Sequence, residues 1–434
     1  MPITKRRRRT AILLGASVLV ACTPGPAETS PGRPGGDRAS APTANRTARA
    51  GPGAQASPVP SSRPVPVSAA WSRVTVPKTA FGAQLLDITA TGPREAWAAG
   101  VEDAGENRPG DPVALRWDGI RWHRMPSLDV PHDENDFSFE TVNSLDGVGA
   151  SGPDDVWVTG GGGSRAFAAH WDGHRWRKER PFGVSHDHFL FDVETAGRKA
   201  WFAGSGPSGP MIVRWDGHRF TEPEDLGERG DRGMLRDIAV RDGHLWAVGG
   251  TESDASATGN PLVYHRPPDD SLYAEPSVLK EYRGRLDGVW PVSKTDVWAV
   301  GLSYPEPGGD GERPLIVRWD GSRWNRVDPP FSRGVLRSVT ATGPDDVWFA
   351  GVDADHPRQP LFLHFDGAGW SREYGPPSHP YRDGGHPARE ELHPVWNVRL
   401  IRVPGTTELW AAGSSEEGGY GEGKPFVLRR RPVS

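Results

Sequence analysis

The sequence predicts an all-β fold, a seven-bladed β-propeller of four-stranded antiparallel blades. Three observations predict it. A tryptophan followed three residues later by a glycine occurs seven times in order, Trp-Asp-Gly or a variant recurs between these sites, and no segment of the body has helical periodicity. Repeats of roughly 50 residues, each with four short β-prone segments, are typical of propeller blades.

An export signal precedes this body. A basic stretch from Lys5 to Arg9 is followed by an apolar run from Ala11 to Val20. The run is too short to span a bilayer, which takes roughly 20 apolar residues, so we expect residues 1–21 to be a signal peptide. The arginines of the basic stretch leave both the general and the twin-arginine export routes open.

Cys22 is the only cysteine of the 434 residues, and it ends the tetrapeptide Leu-Val-Ala-Cys. This tetrapeptide resembles the bacterial lipobox, whose cysteine receives a lipid, with acyl chains such as palmitate, and becomes the new N-terminus after cleavage. The resemblance implies that Cys22 is lipidated and that the protein is tethered to the outer face of the cell membrane by this anchor alone. An incidental cysteine in a secretory signal is the alternative.

A linker joins this cysteine to the body. Residues 22–70 are mostly Pro, Ala, Ser, Gly, Thr and Arg with few large apolar side chains, so they cannot bury enough surface to fold, and we expect a flexible stalk. The propeller is expected over residues 71–434. The net charge of −5 has no basic stripe, which argues against nucleic acid as a partner.

The second strand of each predicted blade carries the repeated tryptophan and glycine. Because the tryptophans recur at one place in a middle strand, we expect them to form the core between blades and not to bind carbohydrate. The pairs are Trp97 and Gly100, Trp157 and Gly160, Trp201 and Gly204, Trp246 and Gly249, Trp298 and Gly301, Trp348 and Gly351, and Trp410 and Gly413.

Two kinds of turn punctuate each blade. The hairpin from the third strand to the fourth is predicted by Asp-Gly, because glycine supplies the positive φ of a tight turn. The motif occurs as Trp-Asp-Gly at 117–119, 171–173, 215–217 and 319–321, and as the variant Phe-Asp-Gly at 365–367. Gly-Pro-Asp-Asp at 152–155 and 343–346 predicts the turn from the first strand to the second, with structural aspartates.

Blade seven and blade four depart from the repeat. The chain ends after a third strand near 425–428, and the missing fourth strand is predicted at Trp71 to Pro77, so that both ends of the chain share one sheet. In blade four, His-Arg-Pro-Pro-Asp-Asp at 265–270 replaces Trp-Asp-Gly, and the outer strand is expected near Leu272 and Tyr273.

The long connections are expected on one face of the ring. They join the second strand to the third, or one blade to the next, and comprise residues 101–111, 127–143, 251–260, 302–313, 371–396 and 414–424. The opposite face has short turns, so a localised function is expected among the long connections.

Three groups of residues in these connections are candidate ligand sites. The first two are expected at the mouth of the central channel: His132, Asp133 and Asp136, and His186, Asp187 and His188. Such side chains could hold Ca²⁺ or another divalent metal, or act as a general base. Neither run has a recognised ligand spacing, however, and solvated loop residues are the simpler interpretation. We therefore assign no metal and no cofactor.

The third group lies in the connection 371–396 and contains Tyr381, Arg382, His386 and Trp396. Its two aromatic side chains can stack on a flat ligand or on a sugar ring, which favours this connection as a binding loop.

The repeat resembles the Trp-Asp-Gly propeller repeats of exported bacterial lipoproteins. The resemblance is clearest in Asp-Val-Trp-Ala-Val-Gly at 296–301, followed by Arg-Trp-Asp-Gly and a further tryptophan at 318–324. The likeness covers residues 71–434 and is related in style to Kelch, galactose-oxidase-like and Asp-box propellers. No family's active-site residues have counterparts here, so the catalytic residues, if any, are unknown.

Three hypotheses of function follow. The leading one is an extracytoplasmic binding or scaffolding module, a monomer that uses its long connections to bind a wall polymer, a glycan or an exported protein. The alternative is an extracytoplasmic glycosidase or lyase with a His/Asp site at the channel mouth. The third is an accessory lipoprotein that helps exported proteins to assemble.

Overall fold

A computed structural model describes residues 66–80, 82–105, 108–128, 144–162, 165–179, 181, 188–227, 233–251, 259–268, 277–304, 311–377, 395–415 and 424–431. Within these ranges the chain forms seven four-stranded antiparallel sheets. None of the described residues belongs to a helix with the length and apolar character that crossing a membrane requires. The predicted signal peptide, Cys22 and the stalk up to residue 65 lie outside the described residues.

The strands follow the chain in simple order. The first is β1 (Trp71–Val74). Blade 1 holds β2 (Gln84–Gly92), β3 (Glu95–Gly105), β4 (Arg108–Trp117) and β5 (Trp122–Arg124). Blade 2 holds β6 (Ser144–Gly152), β7 (Asp155–Gly162), β8 (Arg165–Trp171) and β9 (Trp176–Glu179). Blade 3 holds β10 (Phe189–Ala196), β11 (Lys199–Gly206), β12 (Gly209–Trp215) and β13 (Glu224–Asp225).

The remaining blades repeat this plan. Blade 4 holds β14 (Met234–Arg241), β15 (His244–Gly250), β16 (Pro261–Arg266) and β17 (Ser277–Val278). Blade 5 holds β18 (Gly284–Ser293), β19 (Asp296–Ser303), β20 (Arg313–Trp319) and β21 (Trp324–Arg326). Blade 6 holds β22 (Gly334–Gly343), β23 (Asp346–Asp353), β24 (Pro360–Phe365) and β25 (Trp370–Tyr374). Blade 7 holds β26 (Val395–Arg402), β27 (Leu409–Ser415) and β28 (Lys424–Arg430).

The ring is closed by β1, which pairs with β28 as the outermost strand of blade 7, from Trp71 opposite Arg430 to Val74 opposite Val427. The Trp71 ring stacks on Phe362 of blade 6 with centroids 3.6 Å apart, and its indole N–H donates to Glu373 at 2.7 Å. This clasp confirms the predicted closure and blade count.

The predicted core is confirmed for six of the seven second-strand tryptophans. Trp97, Trp157, Trp246, Trp298, Trp348 and Trp410 are at most 4% exposed. Trp201 differs, because it is only partly buried and its neighbour Phe202 fills the core of blade 3. The seven paired glycines are explained by close approach: a Cβ on any of them would overlap a carbonyl oxygen of the innermost strand of the same blade.

In blades 1, 2, 5, 6 and 7 a further brace, which the sequence did not predict, holds the second-strand tryptophan. A histidine or arginine of the third strand lies beside the indole and bonds to an acidic residue two positions before the second-strand tryptophan. His170 stacks on Trp157 at 4.4 Å between centroids and bonds to Asp155 at 2.7 Å. Arg318 lies 4.6 Å from the Trp298 centroid and bonds to Asp296 at 2.7 Å. Asp155 therefore has a structural partner, as expected for the Gly-Pro-Asp-Asp turns.

The Asp-Gly hairpins are confirmed. Gly119, at φ 95°, closes the turn of blade 1, and the Asp118 carboxylate accepts the amides of Ile120 at 2.8 Å and Arg121 at 2.9 Å. These backbone bonds, led by that of Arg121, hold the pKa of Asp118 below its usual range. The same amide bonds recur at Asp172, Asp216, Asp320 and Asp366.

Two details of the prediction are wrong. The outer strand of blade 4 is Ser277–Val278 and not near Leu272, because the hairpin without Asp-Gly is longer than expected. Residues 101–111 are not a loop, because β3 and β4 continue pairing to Gly105 and Arg108.

The two faces of the ring differ as expected. We call the face that carries the first-to-second and third-to-fourth strand turns the short-turn face. Its connections are as short as residues 93–94, 153–154 and 344–345, with a longer exception at 267–276. We call the opposite side the long-connection face. It holds the strand ends that residues 125–143, 251–260, 304–312 and 375–394 connect, and each innermost strand of the ring starts there.

Candidate functional site

The innermost strands share a local irregularity that places polar side chains around the channel. In blades 1 to 6 a leucine pairs with the repeated glycine, and the ladder then shifts by one residue, as between Leu85 and Asp87 or between Leu235 and Asp237. A β-bulge of this kind redirects side chains that regular alternation would place elsewhere. The shift occurs near the start of each strand, on the side of the long-connection face.

Some of these side chains fasten one blade to the next. The Asp87 carboxylate of blade 1 accepts the Val148 amide of blade 2 at 2.8 Å. In the same way, Asp237 of blade 4 accepts the Val289 amide of blade 5 at 2.6 Å. In blade 2 the matching position is Gly147, where a Cβ would lie 2.7 Å from the Cα of Asp192, so the backbones of blades 2 and 3 pack directly.

Blades 1 to 4 contribute an acidic side to the channel, consisting of Asp87, Asp146, Asp192, Glu194 and Asp237. Burial, followed by repulsion from Asp192, raises the pKa of Asp87 to about 7 and that of Glu194 to about 8. Burial raises the pKa of Asp146 to about 6. Burial also raises the pKa of Asp192 and Asp237, whose side chains are hydrogen-bonded to each other.

Blades 4 to 6 contribute a basic side, in which three guanidinium groups surround one carboxylate. Arg285 Nε lies 2.9 Å from Asp287 Oδ1, and Arg337 Nη1 lies 2.6 Å from Asp287 Oδ2. Arg236 Nε is farther from Oδ1, at 3.8 Å. Burial opposes ionisation of Asp287, but the three arginines, led by Arg285, outweigh it and hold its pKa below the usual range.

Arg399 of blade 7 spans the channel between these two sides. Its Nη1 donates to the carbonyl oxygens of Asp287 and Arg337, both at 2.8 Å, and lies 3.8 Å from Asp237 Oδ1. Burial lowers the pKa of Arg399, but the carboxylates, led by Asp237 and Asp87, raise it above its ordinary value. A single side chain thus links blades 4, 5, 6 and 7.

This cluster combines buried carboxyl groups of raised pKa with buried arginines. In the part of the chain that the structure describes, no three His, Cys, Asp or Glu side chains are placed to hold a metal ion. Carboxyl groups protonated near neutral pH, such as Glu194, can donate a proton, and arginines bind oxyanions through paired N–H groups.

Most of the residues predicted from the sequence cannot be compared with this cluster. His132, Asp133, Asp136, His186, Asp187, Tyr381, Arg382 and His386 lie outside the described residues. Trp396 lies at the start of β26, but its side chain is outside the described part. His188 is described and partly buried; it lies against Gly206 of its own blade, where a Cβ would be 3.2 Å from His188 Cδ2.

The sequence contained a signal for the channel cluster that the prediction did not use. The innermost strands begin with Leu-Leu-Asp at 85–87, Leu-Asp-Gly at 145–147, Leu-Phe-Asp at 190–192, Leu-Arg-Asp at 235–237, Leu-Asp-Gly at 286–288 and Leu-Arg-Ser at 336–338. A charged residue one or two positions after a leucine, repeated in strands that are otherwise largely buried, is unusual, because burying a charge is costly without a partner.

No protein-family model matches the chain, and no curated protein matches its sequence. Solved structures match it in fold. The polysaccharide lyase Uly1 has a TM-score of 0.51 at 9% identity, over 79% of this chain and 89% of that one. The BP39L lectin from Burkholderia pseudomallei has a TM-score of 0.50 at 12% identity, over 81% and 99%.

A third match is YCF48 bound to D1 peptide, with a TM-score of 0.49 at 15% identity, over 85% of this chain and 97% of that one. The likenesses to Uly1 and BP39L are below 25% identity, so what these two structures share with this chain is the architecture, a β-propeller.

Proposed function

We propose that this protein is a membrane-anchored, extracytoplasmic β-propeller that acts as a binding or scaffolding module through its long-connection face. Its partner is a wall polymer, a glycan or an exported protein, and it works as a monomer without a resident cofactor. The observation that carries the proposal is the contrast between the two faces of the ring.

The short-turn face offers few groups for a ligand. Its Asp-Gly turns are closed by their own backbone amides, and Oδ2 of Asp118, Asp172 and Asp320 also bonds within the blade, as Asp172 does to Arg177 at 2.7 Å. The long-connection face holds the mouth of the charged channel, where the side chains of Arg236, Arg285 and Arg337 are 11–19% exposed. Ligands preferentially occupy concave sites that combine a rigid frame with a few charged groups.

The anchor rests on the N-terminal pattern. A lipid on Cys22, followed by a stalk of Pro, Ala and Ser, holds the ring at the outer face of the cell membrane. The lectin BP39L and the lyase Uly1 share the propeller architecture, which is compatible with a glycan partner.

Crosslinking from matched positions tests the binding face. Arg313 and Arg323 are exposed arginines of the same blade, the first at the start of β20 on the long-connection face and the second in the Asp-Gly turn on the short-turn face. A photoreactive residue in place of Arg313, in the full chain on intact cells, is expected to capture a polymer or protein that the same residue at Arg323 does not. Equal capture from both positions would contradict the proposal.

The anchor has its own test. Cys22→Ser is expected to release the protein from the membrane fraction, and metabolic labelling with an alkyne palmitate analogue is expected to mark the parent chain but not the variant. Labelling of the variant would exclude Cys22 as the lipidation site.

A second candidate function is an extracytoplasmic glycosidase or lyase, favoured by the protonated carboxyl groups of Asp87 and Glu194. Such an enzyme is expected to cleave acidic or neutral polysaccharides. Its kcat is expected to fall at least about a hundredfold in Glu194→Gln. Its activity is expected to fall as pH rises through about 8, where Glu194 loses its proton. Arg323→Gln serves as the unaffected control. Activity that is unchanged in Glu194→Gln would remove this site from the reaction.

A further inference from the structure

The basic side of the channel has more positive charge than its own carboxylate balances. Arg236, Arg285 and Arg337 converge on Asp287, whose side chain is 5% exposed, and Arg399 lies against the same segment through the Asp287 carbonyl. Three guanidinium groups thus surround the carboxylate of Asp287, while Arg399 also lies 3.8 Å from Asp237 of the acidic side, and the carboxylate of Glu312 also acts on Arg285.

Arg236 has the least complete set of interactions among the four. Among the described residues, the acidic atom that it approaches is Asp287 Oδ1 at 3.8 Å, beyond hydrogen-bond distance, and its guanidinium carbon lies 5.9 Å from the Phe191 ring centroid. Its Nε is buried without a hydrogen-bond partner, as is Nε of Arg399. Burial, and then repulsion from Arg285, lowers the pKa of Arg236 to about 10.

The position of these side chains is suited to a ligand that arrives from the long-connection face. Arg285, Arg236 and Arg337 occur within the first four residues of β18, β14 and β22, and these strands start on that face. Their side chains are 11–19% exposed, so they remain in contact with the channel. Tyr304, which follows β19 on the same face, lies 3.4 Å through its hydroxyl from Arg285 Nη1.

We propose that Arg236, Arg285 and Arg337 form an oxyanion subsite that receives one carboxylate, sulfate or phosphate group of the ligand. The inference rests on the proposed binding function and names the chemistry of the partner: an acidic polymer or protein that inserts one anionic group at the channel mouth. Planar guanidinium groups pair with such oxygens through two N–H groups each, and the missing negative charge is supplied by the ligand.

The acidic side of the channel makes this subsite selective. Toward blades 1 to 3 an anion would meet the carboxyl groups of Asp87, Asp192 and Glu194, which supply no positive charge in either protonation state, so favourable positions are confined to the region next to blades 4 to 6. Asp287 itself completes the site as a fixed negative charge that orients two of the arginines, Arg285 and Arg337, through short hydrogen bonds.

Titration calorimetry with inorganic sulfate, inorganic phosphate and acetate, each against chloride at equal ionic strength, tests the subsite in the full chain. At least one oxyanion is expected to bind saturably, and Arg236→Gln is expected to weaken that binding about tenfold to a hundredfold. Arg323→Gln, an exposed arginine of the short-turn face, is the matched control and is expected to bind as the parent does. The preferred anion identifies the type of acidic group on the ligand.

The absence of saturable binding, or equal affinities of the parent and Arg236→Gln, would overturn the inference. Because Arg236 makes the longest contact with Asp287, its substitution is expected to leave the fold intact, and an unchanged thermal unfolding midpoint checks this. The subsite and the proposed function fail in different ways. Crosslinking from position 313 without saturable anion binding would refute only the subsite. Anion binding without crosslinking from position 313 would refute the partner-binding role.

Discussion

Replacing Asp87 by asparagine is expected to stabilise the propeller at pH 8 and to stabilise it less at pH 5. Asparagine keeps an oxygen that can accept the Val148 amide, the bond that fastens blade 1 to blade 2 at 2.8 Å. It removes only the ability to ionise, so that the variant resembles the protonated form of the parent.

The sign and size of the effect follow from the pKa of Asp87, which burial and Asp192 raise from 3.8 to about 7. Between these values the folded protein binds more protons than the unfolded chain, so the free energy of unfolding falls as pH rises. At about 1.4 kcal/mol per pKa unit the upper limit is about 4 kcal/mol. Screening by water in the channel and the coupling to Asp192 make the effect smaller than this limit. We expect Asp87→Asn to raise the free energy of unfolding by about 2 kcal/mol at pH 8.

Urea unfolding followed by tryptophan fluorescence at pH 5 and pH 8 measures this difference. Asp118→Asn is the control, because the backbone amides that lower the pKa of Asp118 keep it ionised at both pH values, and any effect of that substitution should not depend on pH. An Asp87→Asn variant that is no more stable than the parent at pH 8, or whose effect is the same at both pH values, would refute the reasoning.

Three further predictions concern the same ring. Arg399→Met removes the cation next to the acidic side and is expected to cost about 3 kcal/mol at pH 8 and less at pH 5, by the same urea assay. Gly147→Ala would place a Cβ 2.7 Å from the Asp192 Cα and is expected to lower the free energy of unfolding by about 1–3 kcal/mol. Gly152→Ala, whose Cβ would have no atom within 4 Å, is the control and is expected to leave the thermal unfolding midpoint unchanged. Trp71→Ala is expected to open the clasp, at about 3–5 kcal/mol, and to speed proteolysis near residue 75; unchanged cleavage would contradict this.

The blade count could be predicted because the signals behind it are local. Gly119 and its counterparts are required by a tight hairpin, and the tryptophans recur at a fixed distance from glycine. The closing strand was also predictable, since Trp71 to Pro77 has the character of an outer strand that the C-terminus lacks. Where the local signal is missing, as after His265 in blade 4, the outer strand was placed several residues away from Ser277.

The charged channel was harder to predict, because it depends on a bulge and on contacts between distant blades. Regular alternation does not show that Asp87 reaches the backbone of blade 2 or that Arg399 reaches the carbonyl of Asp287. The repeated glycine did contain this information: a Cβ on Gly100 would overlap the carbonyl oxygen of Gln84, next to the shift that follows Leu85. The residue that identified the blades also marks the place where the channel acquires its charge.

The clasp also determines how the ring would bear a mechanical load. Tension applied along the chain from the N-terminal side reaches the ring first at β1, which is held by pairing of only Trp71 to Val74 with β28. The Trp71 ring under blade 6 and the Ser68 amide, which donates to the Tyr374 carbonyl at 3.0 Å, transfer part of that load to the neighbouring blade. Two blades would therefore resist a pull that a single edge strand would otherwise carry alone.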